Sequence, residues 1–130
     1  MAKILIIDDD PALLDGLSTL IETRIPGVTV RTHTDPSAAL DALAKRRYDL
    51  VIVTSLMPGM DGDIFIRSAR QICPSIPMIM LSDHEHHDLE QKALDAGAWG
   101  FITKPIEREG FVQVVQEALE SPRAAFQNRT

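Results

Sequence analysis

A chain of 130 residues has the size of a single domain, and its 45% hydrophobic content is ordinary for a globular protein. No apolar run approaches the ~20 residues of a membrane span, no small-residue cleavage site follows the N-terminus, and a net charge of -6 argues against a domain that grips nucleic acid itself. Cys73 is the one cysteine, which precludes an intramolecular disulfide and points to a reducing compartment, the cytoplasm.

Strand and helix signals alternate five times along the chain. Lys3 to Ile7 is a short continuous apolar run ending in acids, the pattern of a strand buried on both faces. Pro11 opens a helix in which Leu13, Leu17, Leu20 and Ile21 recur at helical spacing. Pro26-Gly27 marks a turn, and Val28 to Arg31 reads as a second strand. Asp35 and Pro36 make an N-cap and first-turn pair for a helix with Ala39, Leu40 and Leu43 on its apolar stripe. Leu50 to Val53 is a third buried strand, running through Thr54 into the turn Met57-Pro58-Gly59. Gly62 to Ile72 is a helix that buries Phe65, Ile66 and Ala69, with Cys73 as a small apolar residue near its end. Met78 to Leu81 is a fourth strand, Asp88 to Ala96 a helix stopped by Gly97, and Phe101 to Thr103 a fifth strand. Glu107 to Glu120 packs through Phe111, Val112, Val115 and Leu119. Residues 1–121 make the domain, and residues 122–130 read as a polar tail or the start of a linker to an output domain.

Alternating strands and helices with doubly buried strands indicate a parallel α/β sheet. Five such units match a flavodoxin-like (βα)5 doubly wound sheet of order 2-1-3-4-5. In such sheets ligands bind beyond the carboxyl ends of the strands, where the strand order reverses. Those ends carry Asp8, Asp9 and Asp10 after strand one, Thr54 at strand three, Ser82 at strand four and Lys104-Pro105 at strand five. Any one of them alone is a solvated strand end. Acids, hydroxyls and a lysine gathered on one set of loops make a pocket.

The run Asp49-Leu50-Val51-Ile52-Val53-Thr54-Ser55-Leu56-Met57-Pro58-Gly59, the Asp8-Asp9 pair, Ser82 and the string Gly97-Ala98-x-Gly100-Phe101-x-x-Lys104-Pro105 together resemble the receiver domains of bacterial two-component response regulators, over residues 3 to 120. The resemblance implies that Asp8, Asp9 and the backbone carbonyl of Leu56 hold a divalent metal, usually Mg²⁺. It implies that Ser82 bonds an incoming phosphoryl group, that Lys104 contacts a phosphoryl oxygen, and that Phe101 is the aromatic switch. It also places the phosphate-accepting Asp three residues before Met57-Pro58, where this chain has Thr54.

That substitution changes the chemistry. An aspartate is ionised at neutral pH and attacks phosphorus without help, whereas a threonine hydroxyl needs an adjacent general base. A neutral hydroxyl is also a poor Mg²⁺ ligand, so the metal site is expected to be weak. Asp8 and Asp9 are left facing Lys104, a balanced arrangement that should fold without metal. The expectation is a signalling domain, not an enzyme, that is not phosphorylated conventionally. It takes its input from a sensor histidine kinase or another signalling protein. It acts on a linked or separate output domain through helix four, strand five and helix five. The alternatives are a slow phosphoryl acceptor using Thr54 or Ser55, and an ordinary receiver in which Asp has been replaced artificially.

Weaker signals remain. Asp83-His84-Glu85-His86-His87-Asp88 reads as an acidic helix start with solvated histidines, against a transition-metal site using His84 with His87 or Asp88. Asp61 reads as a turn residue. Trp99, at the last helix-to-strand connection, is a candidate for exposure.

Overall fold

The computed structural model describes residues 1–83 and 87–121. The elements run β1 (Ala2–Ile7), α1 (Pro11–Arg24), β2 (Val28–His33), α2 (Pro36–Lys45), β3 (Leu50–Thr54), α3 (Gly62–Ile72), β4 (Met78–Ser82), α4 (His87–Ala96), β5 (Gly100–Thr103) and α5 (Arg108–Glu120). All strand pairs are parallel and the sheet order is β2-β1-β3-β4-β5. The expected doubly wound architecture is therefore the observed one.

Side chains alternate across a strand, so each doubly buried strand feeds two cores. Leu5, Ile7, Val51, Val53, Met78 and Met80 point to the face covered by α2, α3 and α4. Ile4, Ile6, Leu50, Ile52, Ile79 and Leu81 point to the face covered by α1 and α5. The central strands β1, β3 and β4 are almost wholly inaccessible to solvent, which explains their unbroken Ile, Leu, Val and Met runs. β2 lies at an edge and is more polar, with Arg31 and Thr32 exposed. The Glu22 carboxylate accepts from the Val30 amide at 2.9 Å, which covers part of an edge that could otherwise pair with another strand.

Helix starts follow from local chemistry. Asp10 and Asp35 are both extended N-caps followed by proline, and each side chain accepts two amide hydrogens of its helix. Asp10, expected among the site's acids, is thus engaged in capping α1. Asp10→Ala is expected to cost about 1 kcal/mol of stability in chemical denaturation, with the Lys104 ion pairs described below left in place. Glu107 caps α5 in the same way, accepting from Glu109 and Gly110. Asp61 stands at the N-cap of α3 without a side-chain capping bond.

Trp99 departs from expectation. It is partly buried against the α1/α5 core, and its indole Nε1 donates to Ser121 Oγ at 3.2 Å. An amphipathic ring with one polar atom suits that position, where it ties the entry of β5 to the end of α5. On the other face, the Arg70 guanidinium of α3 donates to the carbonyls of Pro74, at 2.8 Å, and Gly97, holding the α4–β5 turn against α3. Gly97 has φ +101, and a Cβ there would collide with that same side chain, so this turn requires glycine.

Candidate functional site

The topology brings the carboxyl ends of β1, β3, β4 and β5 side by side, with β1 and β3 adjacent at the point where strand order reverses. Thr54 pairs with Leu81 at the β3–β4 border, and Ser82 pairs with Thr103 at the β4–β5 border. Asp8, Thr54, Ser55 and Ser82 are the buried polar residues among those described. In cores of this composition, that concentration of polar groups at one end of the sheet marks a site.

Lys104 is the centre of the pocket. Its Nζ donates to Asp8 Oδ2 at 2.9 Å and lies 3.4 Å from Thr54 Oγ1. Asp83 Oδ1 stands 3.3 Å away. The Lys104 amide donates to the Ser82 carbonyl, which fixes the lysine's base against β4, and the Lys104-Pro105 peptide is cis. Asp8 is held from two sides, because its Oδ1 accepts the Asp10 amide at 3.0 Å. Burial pushes the Asp8 carboxyl above the ordinary aspartate value, and the Lys104 and Asp10 bonds offset only part of that. Burial is also the largest influence on Lys104 and acts to lower its pKa. The bonds and charges of Asp8 and Asp83 together outweigh it and leave the ammonium above its usual value.

Among the described residues, the carboxylates within ion-pair distance of Lys104 are those of Asp8 and Asp83. Of the two acids expected to face the lysine, Asp8 pairs with it, whereas Asp9 is exposed, lies beside the Asp8 carboxyl and makes no ion pair with Lys104. Asp83 takes the second place. Sequence reasoning grouped it with the following histidines, although its position one residue beyond a strand end was a usable signal.

The loop after β3 is fixed by backbone bonds. The Ser55 amide donates to Leu81, and its carbonyl accepts from Gly62 at 2.8 Å. The start of α3 thereby sits directly on the end of β3. Gly59 takes φ +86 in the turn between them, which accounts for glycine after Met57-Pro58. Met57 is buried while Leu56 is exposed at 52%. Phe101 is partly buried against the α2/α3/α4 core. Among the described residues no group of three or more His, Cys, Asp or Glu side chains is placed to hold a metal. The alternative metal pairing of His84 with His87 or Asp88 depends on His84, which lies outside the described residues.

This chain belongs to the response regulator receiver domain family, whose family model matches residues 4–116. It is 32% identical over 128 residues to the C4-dicarboxylate transport transcriptional regulatory protein DctD of Rhizobium meliloti, covering 98% of this chain and 27% of that protein. It is 30% identical to the transcriptional regulatory protein GlrR of Escherichia coli, covering 98% of this chain and 28% of that one. The chain thus spans little more than a quarter of the length of these relatives. Among solved structures, the signal receiver domain of an HD domain-containing protein from Pseudomonas fluorescens superposes with a TM-score of 0.86 at 28% identity, over 99% of this chain and 93% of that one. Vibrio cholerae chemotaxis protein CheY4 gives 0.84 at 28% identity, over 91% and 98%. Among the described residues, no helix is long and apolar enough to cross a membrane.

Proposed function

We propose that this domain is a receiver that signals without conventional phosphorylation, acting as a regulatory protein-binding module of a two-component pathway in the cytoplasm. The observation that carries the reading is the environment of Thr54. A hydroxyl stands at the end of β3 where the family places a nucleophilic carboxylate, and it lies 3.4 Å from a lysine already paired with Asp8. A threonine nucleophile needs a base. Both Asp8 oxygens are engaged, by Lys104 and by the Asp10 amide, and Asp9 is exposed, so nothing in this arrangement favours deprotonating Thr54 or the buried Ser55.

A divalent metal fits this donor set poorly. Mg²⁺ favours anionic oxygens in octahedral order. Here Asp8 already neutralises an ammonium, Thr54 is neutral, and Asp9 and the Leu56 carbonyl would have to supply the rest. Lys104 takes the role of the resident cation, and the domain is expected to fold without metal. Calorimetry is expected to show weaker Mg²⁺ binding to this protein than to Thr54→Asp, because one hard anionic ligand has been exchanged for a hydroxyl. Equal affinities would show that Asp8, Asp9 and backbone carbonyls suffice.

The names of DctD and GlrR describe transcriptional regulators that are much longer than this chain, which supports an output domain in the parent protein. The proposed output surface is α4, β5 and α5. The balance between its conformations is set by sequence or by a ligand with different affinity for the two states, with a sensor kinase or another signalling protein upstream. Incubation with acetyl phosphate and Mg²⁺ followed by intact-mass measurement tests the central point. The expected result is no added phosphoryl group, and a stoichiometric hydroxylamine-sensitive adduct refutes it.

A further inference from the structure

We infer that Asp83 is an electrostatic gate on the solvent side of Lys104, which weakens the binding of phosphate-like oxyanions in the pocket. This rests on the receiver reading of the pocket and adds a residue to it. The two carboxylates on Lys104 differ in position. Asp8 is buried, with 1% of its side chain accessible, and grips the ammonium from inside at 2.9 Å. Asp83 is 53% accessible and reaches the same nitrogen from outside at 3.3 Å. The Lys104 side chain is mostly covered, at 17%.

An ammonium has three hydrogens to donate, and three oxygens surround this one: Asp8 Oδ2, Thr54 Oγ1 and Asp83 Oδ1. Any oxyanion arriving from solvent must take a donor from Asp83, the exposed member, and must then sit beside its negative charge. The pair contributes little to stability, because exposed ion pairs rarely do. Its effect is on what can enter. A dianion approaching within ~5 Å of a carboxylate in a largely aqueous setting meets repulsion that weakens binding about five-fold at moderate ionic strength. The gate lies at the first residue beyond β4, directly after Ser82, whose carbonyl accepts the Lys104 amide.

The test titrates inorganic phosphate into the parent protein, Asp83→Asn and Asp83→Ala, reading the amide shifts of Ser82 and Lys104 by NMR. Both variants are expected to bind about five-fold more tightly than the parent, with the advantage shrinking at high salt as the charge is screened. Equal affinities in all three proteins overturn the gate, as does the absence of phosphate-dependent shifts in both variants. A gain in Asp83→Ala alone also overturns it, because Asn preserves the size of the side chain and removes only its charge. The outcome is separable from the proposed function: a phosphoryl adduct on the parent protein defeats that function and leaves this titration intact, whereas equal phosphate affinities defeat the gate alone.

Discussion

Lys104→Met is expected to destabilise the domain by about 3 kcal/mol at neutral pH, because it strands a buried carboxylate. Asp8 is 1% accessible, and in the parent the ammonium offsets part of the desolvation that raises its pKa. Without the lysine that pKa rises further. A group whose folded pKa is raised stabilises the fold fully below its unfolded value, 3.8 for Asp8, and that stability is lost as pH rises through the folded value. The deficit of the variant should therefore shrink as pH falls from 7 towards 3.8. Urea unfolding at neutral and acidic pH checks both the size and the sign. A deficit of the same size at both would mean that Met fails for lack of packing and that the Asp8–Lys104 pair matters little. In the parent, the raised Lys104 value carries its own signature. The stability it contributes is fully present below the unfolded value of 10.5 and lost above it, as pH climbs through the higher folded value.

Gly62→Ala should be comparably costly for a different reason. A Cβ at Gly62 would overlap the carbonyl oxygen of Thr54 and stand 3.0 Å from the Cα of Ser55. Both are backbone atoms, so no rotamer change relieves the clash. Overpacking of this kind costs about 3 kcal/mol, and relief requires moving α3 away from the end of β3. The Gly62 amide would then lose its bond to the Ser55 carbonyl. Thermal unfolding measures the loss, and the amide shifts of Thr54 and Ser55 report the displacement. An alanine variant with parent stability and unchanged shifts would show that the approach of helix to strand leaves room for a Cβ.

The fold was legible in the chain because its signals are local. Doubly buried strands leave unbroken apolar runs, Asp35-Pro36 announces a capped helix, and Gly62–Ile72 carries a clear apolar stripe. The strand bounds differ by a residue or two where polar residues continue the ladder, as at His33 and Ser82. The capping role of Asp10 was available from the same Asp-Pro signature as Asp35, but its place after two other acids drew it into the site. The neighbourhood of Asp8, Thr54 and Lys104 was legible from their positions at strand ends, since topology alone brings those ends together. Side-chain direction was not. Asp83 and Lys104 meet because neighbouring parallel strands end side by side, and nothing local to either residue shows whether its side chain turns inward. The same holds for Trp99, whose partner Ser121 lies at the far end of α5, and for Glu22, which covers the β2 edge from α1.

The most direct test of a receiver lacking only its acceptor is side-by-side labelling of this protein and Thr54→Asp with acetyl phosphate and Mg²⁺, read by intact mass before and after hydroxylamine. Lys104 already stands 3.4 Å from Thr54 Oγ1 and is fixed by its bond to Asp8, so a carboxylate introduced at position 54 meets groups that are already positioned. The predicted result is a hydroxylamine-sensitive phosphoryl adduct on Thr54→Asp and none on the parent. An adduct on the parent, or a folded Thr54→Asp variant that stays unlabelled, would contradict the account.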